Sequence, residues 1–427
     1  MLNHGDKVKL LIKQETVEGI LMPSPDDSKI ILKLANGYNV GYEKKDVKLE
    51  ILEKSKSITK KAYHLPVKKN LPTIAILHTG GTIASRVDYE TGGVKASFTS
   101  EDFLEMFPEI NEIANVRTNH IANMMSEDMR FSHYRLIAKA IVDEIKAGVK
   151  GIIVGHGTDT IAITSAALSF MFENLPIPVI LVGSQRSSDR GSTDAAMNLI
   201  CAAEFIAKTD FTGVAVCLHG TSDDKVCHIL PATKTRKLHT SRRDAFKAVN
   251  SGPLAEINYE TKKIIFLQNY QKREDVKGEL KLKDNLEDKV AVVRVYPNMG
   301  PVIIDALTEK KYQGIILEAT GIGQAPTNIE ENLPNYKALQ RFIEQGGVIV
   351  LTSQCIFGRV HPDIYTNCRR LREIGIIFGE DMLTETAHIK LAWLLANYPK
   401  TRVEELAAVN LRGEINEALS FKEDFLK

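Results

Sequence analysis

The sequence predicts an α/β protein, with two doubly wound α/β units preceded by a small SH3-like β-barrel. Three observations carry this. Short apolar runs alternate with helical stripes, which marks parallel sheets covered on both faces. The alternation stops in a polar stretch, residues 271–288, and then restarts. Ahead of it, about fifty residues hold only short β-prone runs separated by turn signals.

In the amino-terminal unit, residues 8–12, 17–21, 29–34 and 38–42 are the β-prone runs, the last two flanking Asn36-Gly37. Asn-Gly suits a two-residue hairpin because both residues tolerate the positive φ of a type I′ turn. Such a small barrel is more often a docking or nucleic-acid platform than an enzyme. Residues 54–69 then carry six lysines (Lys54, Lys56, Lys60, Lys61, Lys68, Lys69) and no acid. The ordinary role of such a run is a solvated linker; the sharper one is a strap on nucleic-acid phosphates.

The first α/β unit opens with the apolar run 73–77 and continues with runs at 151–154, 179–182 and 214–217. Leu136, Ile137, Ala140, Ile141 and Ile145 form one helical stripe, with Ser132 expected as its cap and Gly148 as its stop. Residues 194–207 read as a second helix. The second unit repeats the pattern with strands at 289–295, 314–318 and 347–351, a helix at 335–345, and a core-facing helix at 388–395. The expected divisions are a barrel at 1–53, a basic linker at 54–71, a catalytic unit at 72–270, a connector at 271–288 and a second unit at 289–427.

Composition agrees. The chain has 427 residues, 44% hydrophobic and 26% charged, enough for two or three cores. No run approaches the roughly 20 apolar residues of a membrane span, and the amino terminus has no secretory pattern. Five cysteines without a C-x-x-C pair suggest reduced thiols in a cytoplasmic protein, with neither a disulfide framework nor a metal site. The net charge of +1 decides nothing about nucleic acid.

Three loops carry candidate chemistry. Thr79-Gly80-Gly81-Thr82-Ile83-Ala84 follows a predicted strand, and ligands of open α/β sheets bind at the carboxyl ends of strands. Its hydroxyls could act as nucleophiles, although a Gly-Gly after a strand is most often only a turn. Gly155-His156-Gly157-Thr158-Asp159-Thr160 places a hydroxyl beside a carboxylate at the same edge, and helix capping is its ordinary role. Ala232-Thr233-Lys234-Thr235-Arg236 offers a lysine that could serve as a base. Arg236, Lys237, Arg242, Arg243 and Lys247 nearby make a plain basic loop equally natural. These parts suit acyl transfer, since a neutral alcohol needs a base before it attacks a carbonyl.

The strings T-G-G-T-I-A, H-G-T-D-T and A-T-K-T, with 183–186 and 246–253, resemble the asparaginase family in order and rough separation. The resemblance runs from about Thr73 to the carboxyl end. It implies two asparaginase-like α/β domains with Thr82 as the nucleophile that forms an acyl-enzyme and Tyr89 orienting it. It also implies a Thr158–Asp159–Lys234 set in which lysine is the base, and substrate-binding roles for Gly81, Ser126, Glu127 and Asp159. Many relatives have glutamine where Glu127 stands, and a carboxylate still suits an α-ammonium group. The segment 320–324 aligns loosely with a family loop that reaches across a dimer contact.

Stand-alone asparaginases do not usually begin with a small barrel. With that module in place, the chain resembles the D-subunit family of archaeal glutamyl-tRNA(Gln) amidotransferases. This resemblance implies a cytoplasmic glutaminase, a homodimer within a heterotetramer, feeding ammonia to a partner E-subunit that acts on Glu-tRNA(Gln). ATP and Mg2+ are expected at that partner, and no G-x-x-x-x-G-K-[ST] loop occurs here. No metal or cofactor is expected on this chain. A free-standing cytoplasmic L-asparaginase and a catalytically silent RNA-binding scaffold are the alternatives.

Overall fold

The computed structural model describes residues 6–12, 15–22, 24, 28–34, 39–54, 68–80, 85–87, 94–96, 107–186 and 193–419. The amino-terminal unit is a five-stranded antiparallel sheet of β1 (Lys7–Ile12), β2 (Glu15–Met22), β3 (Lys29–Lys33), β4 (Asn39–Glu43) and β5 (Val47–Glu53), in the order β4-β3-β2-β1-β5. Val8 and Leu10 alternate inward from β1 and meet Leu21, Ile30 and Leu32, the period-two pattern of a sheet with one covered face. Asn36-Gly37 lies outside the described residues, and β3 and β4 on either side of it pair antiparallel.

The second unit is built on an eight-stranded sheet of β6 (Thr73–Gly80), β7 (Asn115–Met124), β8 (Gly151–Gly155), β9 (Pro178–Val182), β10 (Gly213–His219), β11 (Val226–Pro231), β12 (Ala255–Asn258) and β13 (Ile264–Phe266). Its order is β13-β12-β11-β10-β9-β8-β6-β7. From β7 to β10 all neighbours are parallel, and the last three strands run antiparallel. The apolar runs of the sequence became β6, β8, β9 and β10. Strand β7 is not legible in the sequence because it is an edge whose residues are all partly or fully exposed. Helices α1 (Phe131–Lys146) and α2 (Ile161–Met171) cover one face of the sheet, and α3 (Ala195–Lys208) covers the other.

Helix α1 differs from expectation at its start. Ser132 lies inside the helix, and the cap position is Arg130, whose N–H donates to His133 Nδ1 at 3.0 Å. The stop is as expected, since Gly148 takes φ +82°, a conformation that glycine adopts without strain.

The third unit holds four parallel strands in chain order, β14 (Val290–Arg294), β15 (Gly314–Ala319), β16 (Val348–Ser353) and β17 (Ile377–Phe378). Helices α4 (Val302–Glu309), α5 (Leu333–Glu344) and α6 (Thr366–Glu373) lie between successive strands, and α7 (Thr384–Asn397) and α8 (Lys400–Leu406) follow. Helix α7 is buried between the two α/β units. Its Trp393 ring lies 5.8 Å from the Phe170 ring of α2, and its indole N–H donates to Lys283 O at 3.1 Å. Phe170, Ile316, Val350 and Trp393 thus belong to one continuous apolar core. The connector is docked as well, with Lys281–Leu282 pairing with Phe172–Glu173.

The basic linker changes character at its end. Lys68 pairs with Glu112 at 2.8 Å, and its backbone is clasped by Asn115 at both N–H and C=O. One of the six lysines therefore has an acidic partner that the local sequence does not reveal. Residues 55–67 lie outside the described residues.

Candidate active site

The order of the strands locates the site. From β6 the chain moves outward to β7, then returns to the other side of β6 as β8 and continues to β9. The connections leaving β6 and β8 diverge, and the crevice between such strand ends is where open α/β sheets bind ligands. Both glycine-hydroxyl loops of the sequence leave these two strands.

Thr79 Oγ1 donates to Gly155 O at 3.0 Å, clasping the ends of β6 and β8 together. Gly80 follows at φ +99°, and a Cβ there would lie 2.5 Å from Met124 O, so only glycine fits beside β7. Gly81, Thr82 and Tyr89, three of the sequence-predicted site residues, lie outside the described residues. Strand β6 itself ends at Gly80, on this edge.

On the second loop, Gly157 makes room for Ser126, since an added Cβ would sit 2.7 Å from Ser126 Cβ and 2.8 Å from its Oγ. Thr160 Oγ1 donates to Ser126 O at 2.7 Å. The short helical turn Ser126–Asp128 is thereby held against the Thr158 loop, with Ser126 buried and Glu127 exposed. Gly183, at the end of β9, does the same for Thr158: an added Cβ would lie 3.0 Å from its methyl carbon. Gly157 and Gly183 thus let the Ser126 turn and the end of β9 pack closely against the Thr158 loop.

His156 braces this loop from below. Its ring is fully buried, with Nδ1 2.7 Å from Gly157 O and Nε2 2.9 Å from Thr164 Oγ1. A carbonyl only accepts, so Nδ1 carries the proton and the threonine hydroxyl donates to Nε2. Burial pushes the His156 pKa down to about 4, which keeps the ring neutral and structural near neutrality. His78 on β6 is likewise held down at about 4 by burial and by neighbouring His120.

Lys237 completes the cluster. Its Nζ donates to Thr158 Oγ1 at 3.0 Å and to Asp159 Oδ1 at 2.8 Å. Thr158 is almost fully buried, and Asp159 keeps most of its carboxylate open to solvent. A hydroxyl, a carboxylate and an amine thus meet at the carboxyl edge of the sheet.

Lys234, the lysine of the A-T-K-T string, lies elsewhere in this structure. Lys234 Nζ bonds Asp381 Oδ2 at 2.6 Å, with both side chains at most 1% exposed. Burial lowers the Lys234 pKa and Asp381 opposes that shift. The cause is local geometry. Residues Thr235–Lys237 form a ribbon with Phe246–Ala248, and Lys234 sits at its root beneath the third unit. The ribbon sends the two lysines, three residues apart, into different surroundings.

Known proteins share this architecture. Residues 73–272 match the family model described as "Asparaginase, N-terminal", and 289–408 match "Glutaminase/Asparaginase C-terminal domain". Residues 2–52 match "GatD N-terminal domain". The glutamyl-tRNA(Gln) amidotransferase D-subunit of Methanococcus maripaludis (strain C6) is 44% identical over 425 residues, spanning 98% of this chain and 99% of its own. That of Pyrococcus furiosus is also 44% identical, spanning 96% of this chain and 94% of its own. Among solved structures, the thermostable L-asparaginase of Thermococcus kodakarensis superposes with TM-score 0.72 at 29% identity, covering 81% of this chain and all of that one. L-asparaginase I of Vibrio cholerae gives TM-score 0.71 at 29% identity over 81% of this chain and 99% of its own. An asparaginase-like α/β body behind a small β-rich module, matched end to end by these relatives, makes the chain a member of the D-subunit family of glutamyl-tRNA(Gln) amidotransferases.

Proposed function

We propose that this chain hydrolyses glutamine to glutamate and ammonia and passes the ammonia to a partner, the amidotransferase E-subunit, which amidates Glu-tRNA(Gln) to Gln-tRNA(Gln). The observation that carries the chemistry is the contact of Lys237 Nζ with both Thr158 Oγ1 and Asp159 Oδ1. In this reading Thr82 attacks the side-chain amide carbon of glutamine. The tetrahedral intermediate collapses to an ester on Thr82, and nitrogen leaves as ammonia once it has gained a proton. Water then cleaves the ester to glutamate and restores the hydroxyl. Thr158 and Lys237 are the base set that takes the proton from the attacking oxygen and returns it to the departing nitrogen.

Asp159, with Ser126 and Glu127, receives the amino-acid end of glutamine. The substrate's α-ammonium competes with Lys237 for the Asp159 carboxylate, which turns Lys237 from an ion-pair partner of Asp159 toward Thr158. Binding and activation are then linked through one carboxylate. Tyr89 orients Thr82, and Gly81 lines the substrate's path.

The rest of the assembly follows the family. Two copies pair within a heterotetramer, ATP and Mg2+ act at the partner, no residue of this chain is assigned to them, and the complex works in the cytoplasm. No helix among the described residues is long and apolar enough to cross a membrane.

The similarity to L-asparaginases over 81% of the chain favours one second reading, a free-standing asparaginase. Ammonia release from glutamine and from asparagine, with and without the E-subunit and Glu-tRNA(Gln), separates the two. Glutamine hydrolysis that requires both additions supports the amidotransferase role. Full asparagine hydrolysis by the chain alone, indifferent to either addition, overturns it.

A further inference from the structure

Asp194 and Asn198 stand four residues apart at the start of α3, so they share one face of the helix. A carboxylate just before a helix ordinarily caps its own first turn. Asp194 makes no such bond, and the Ala195 N–H goes to Thr193 Oγ1 at 3.2 Å instead. The Asp194 carboxylate accepts from the backbone N–H of Gln185, 3.0 Å to each oxygen, and from that of Arg186 at 3.1 Å. Asn198 Nδ2 donates to Gly183 O at 3.0 Å. Two side chains of one helix face thus hold three backbone groups of the turn that follows β9.

The orientation of Asn198 is itself fixed. His219, at the end of β10, donates from Nδ1 to Asn198 Oδ1 at 2.6 Å, because an amide oxygen only accepts. The amide nitrogen is left for Gly183 O and for Asp194 Oδ2, the latter at 3.3 Å. Asp194, Asn198 and His219 are all fully buried, and a satisfied buried network of this kind holds a single arrangement. Its outer end is Asp224, 3.2 Å from His219 Nε2 and bonded by Arg243 at 2.6 Å. Within the turn, Ser184 Oγ and Gln185 Nε2 are buried without a hydrogen-bond partner, so neither holds it in place.

Gly183 carries the effect to the site. Its backbone lies so close to the Thr158 loop that an added Cβ would stand 2.8 Å from His156 O and 3.0 Å from the Thr158 methyl carbon. We infer that Asp194, Asn198 and His219 are positioning residues for the reaction: by fixing the 183–186 turn they press the end of β9 against Thr158 and set where its hydroxyl stands. The inference rests on Thr158 taking part in the chemistry proposed above. Ser126 and Glu127 follow β7 and approach the loop from the opposite side, so the network acts on turnover more than on binding.

The test uses the full-length chain under conditions in which the wild type releases ammonia from glutamine, well below each variant's thermal midpoint. Asp194→Asn removes the charge and one acceptor. His219→Leu removes the donor that orients Asn198, and His219→Asn places an amide N–H where Nδ1 stood. Thr158→Val removes the hydroxyl. For each, kcat, KM and the thermal midpoint are measured. The expected losses for Asp194→Asn and His219→Leu are about 10- to 100-fold in kcat, with KM within about threefold. His219→Asn should return kcat to within about threefold of wild type. A purely structural role would lower the midpoint and leave kcat of the folded protein unchanged.

A wild-type kcat in whichever of Asp194→Asn and His219→Leu folds overturns the inference, as does a rise in KM alone. Equal losses in His219→Leu and His219→Asn do the same. Failure of both damaging variants to fold makes the network a requirement of the fold and overturns the positioning role as well. Thr158→Val separates the two levels. Full activity there defeats the reading of the site itself, whereas an inactive Thr158→Val beside fully active network variants defeats this inference alone.

Discussion

Lys237 donates to the Thr158 hydroxyl at 3.0 Å across 79 residues of sequence. Its second bond, 2.8 Å to Asp159, fixes the ammonium between the two. Lys234, three residues earlier, is turned away into a buried pair with Asp381. The two lysines sit in different surroundings, and separate experiments can read what each does.

Lys237→Met should lower ammonia release by about 10²- to 10⁴-fold, the usual contribution of a general base. Its thermal midpoint should stay close to wild type, because the Lys237–Asp159 pair is half open to solvent and such pairs add little stability. Lys234→Met should do the reverse in its stability readout. Leaving Asp381 buried without its cation costs about 3–5 kcal/mol, measurable by urea unfolding. Equal stability of the two variants would contradict this division.

Gly157→Ala should separate binding from folding. The added methyl meets Ser126 at 2.7 Å, closer than side chains tolerate, so the Ser126–Asp128 turn must shift. The expected outcome is a rise in KM for glutamine of about tenfold or more, corresponding to about 1.4 kcal/mol of lost binding. An unchanged KM would show that this turn does not contact substrate.

The buried His156 predicts a pH dependence of stability. Its folded pKa of about 4 lies below the ordinary value of 6.5. Between these values the unfolded chain binds the proton and the folded chain does not, so stability rises with pH there. The full contribution is present above pH 6.5 and is lost as pH falls toward 4. A shift of this size corresponds to about 3 kcal/mol. Replacing His156 by Gln, which bears no titrating ring, should flatten the unfolding free energy measured between pH 6.5 and pH 4. A slope identical to wild type would remove His156 from the account.

The linker tests whether its lysines touch phosphate. Lys68 already pairs with Glu112, so Lys54, Lys56, Lys60, Lys61 and Lys69 are the ones to neutralise together. Each lost phosphate contact should reduce the slope of log binding constant against log salt by about 0.7 to 0.9. Titration of tRNA at several salt concentrations measures this. An unchanged slope returns the linker to a solvated spacer.

The sequence by itself determined the order and type of the main elements, because local signals specify them. The runs that became β6, β8, β9 and β10 are buried on both faces and so are apolar throughout, and Gly148 ends α1 by its own conformational freedom. It also placed Thr158 and Asp159 on a strand-end loop. Tertiary structure alone decided what depends on distant partners. Strand β7 is an edge, so its residues carry no continuous apolar signal. Asp381 and Glu385, about 150 residues away, hold the ribbon's base. Lys234 and Lys237 are chemically the same side chain, and although the A-T-K-T string singles out Lys234, their surroundings are set by distant partners. Only a ribbon anchored from another unit sends one lysine to Thr158 and buries the other.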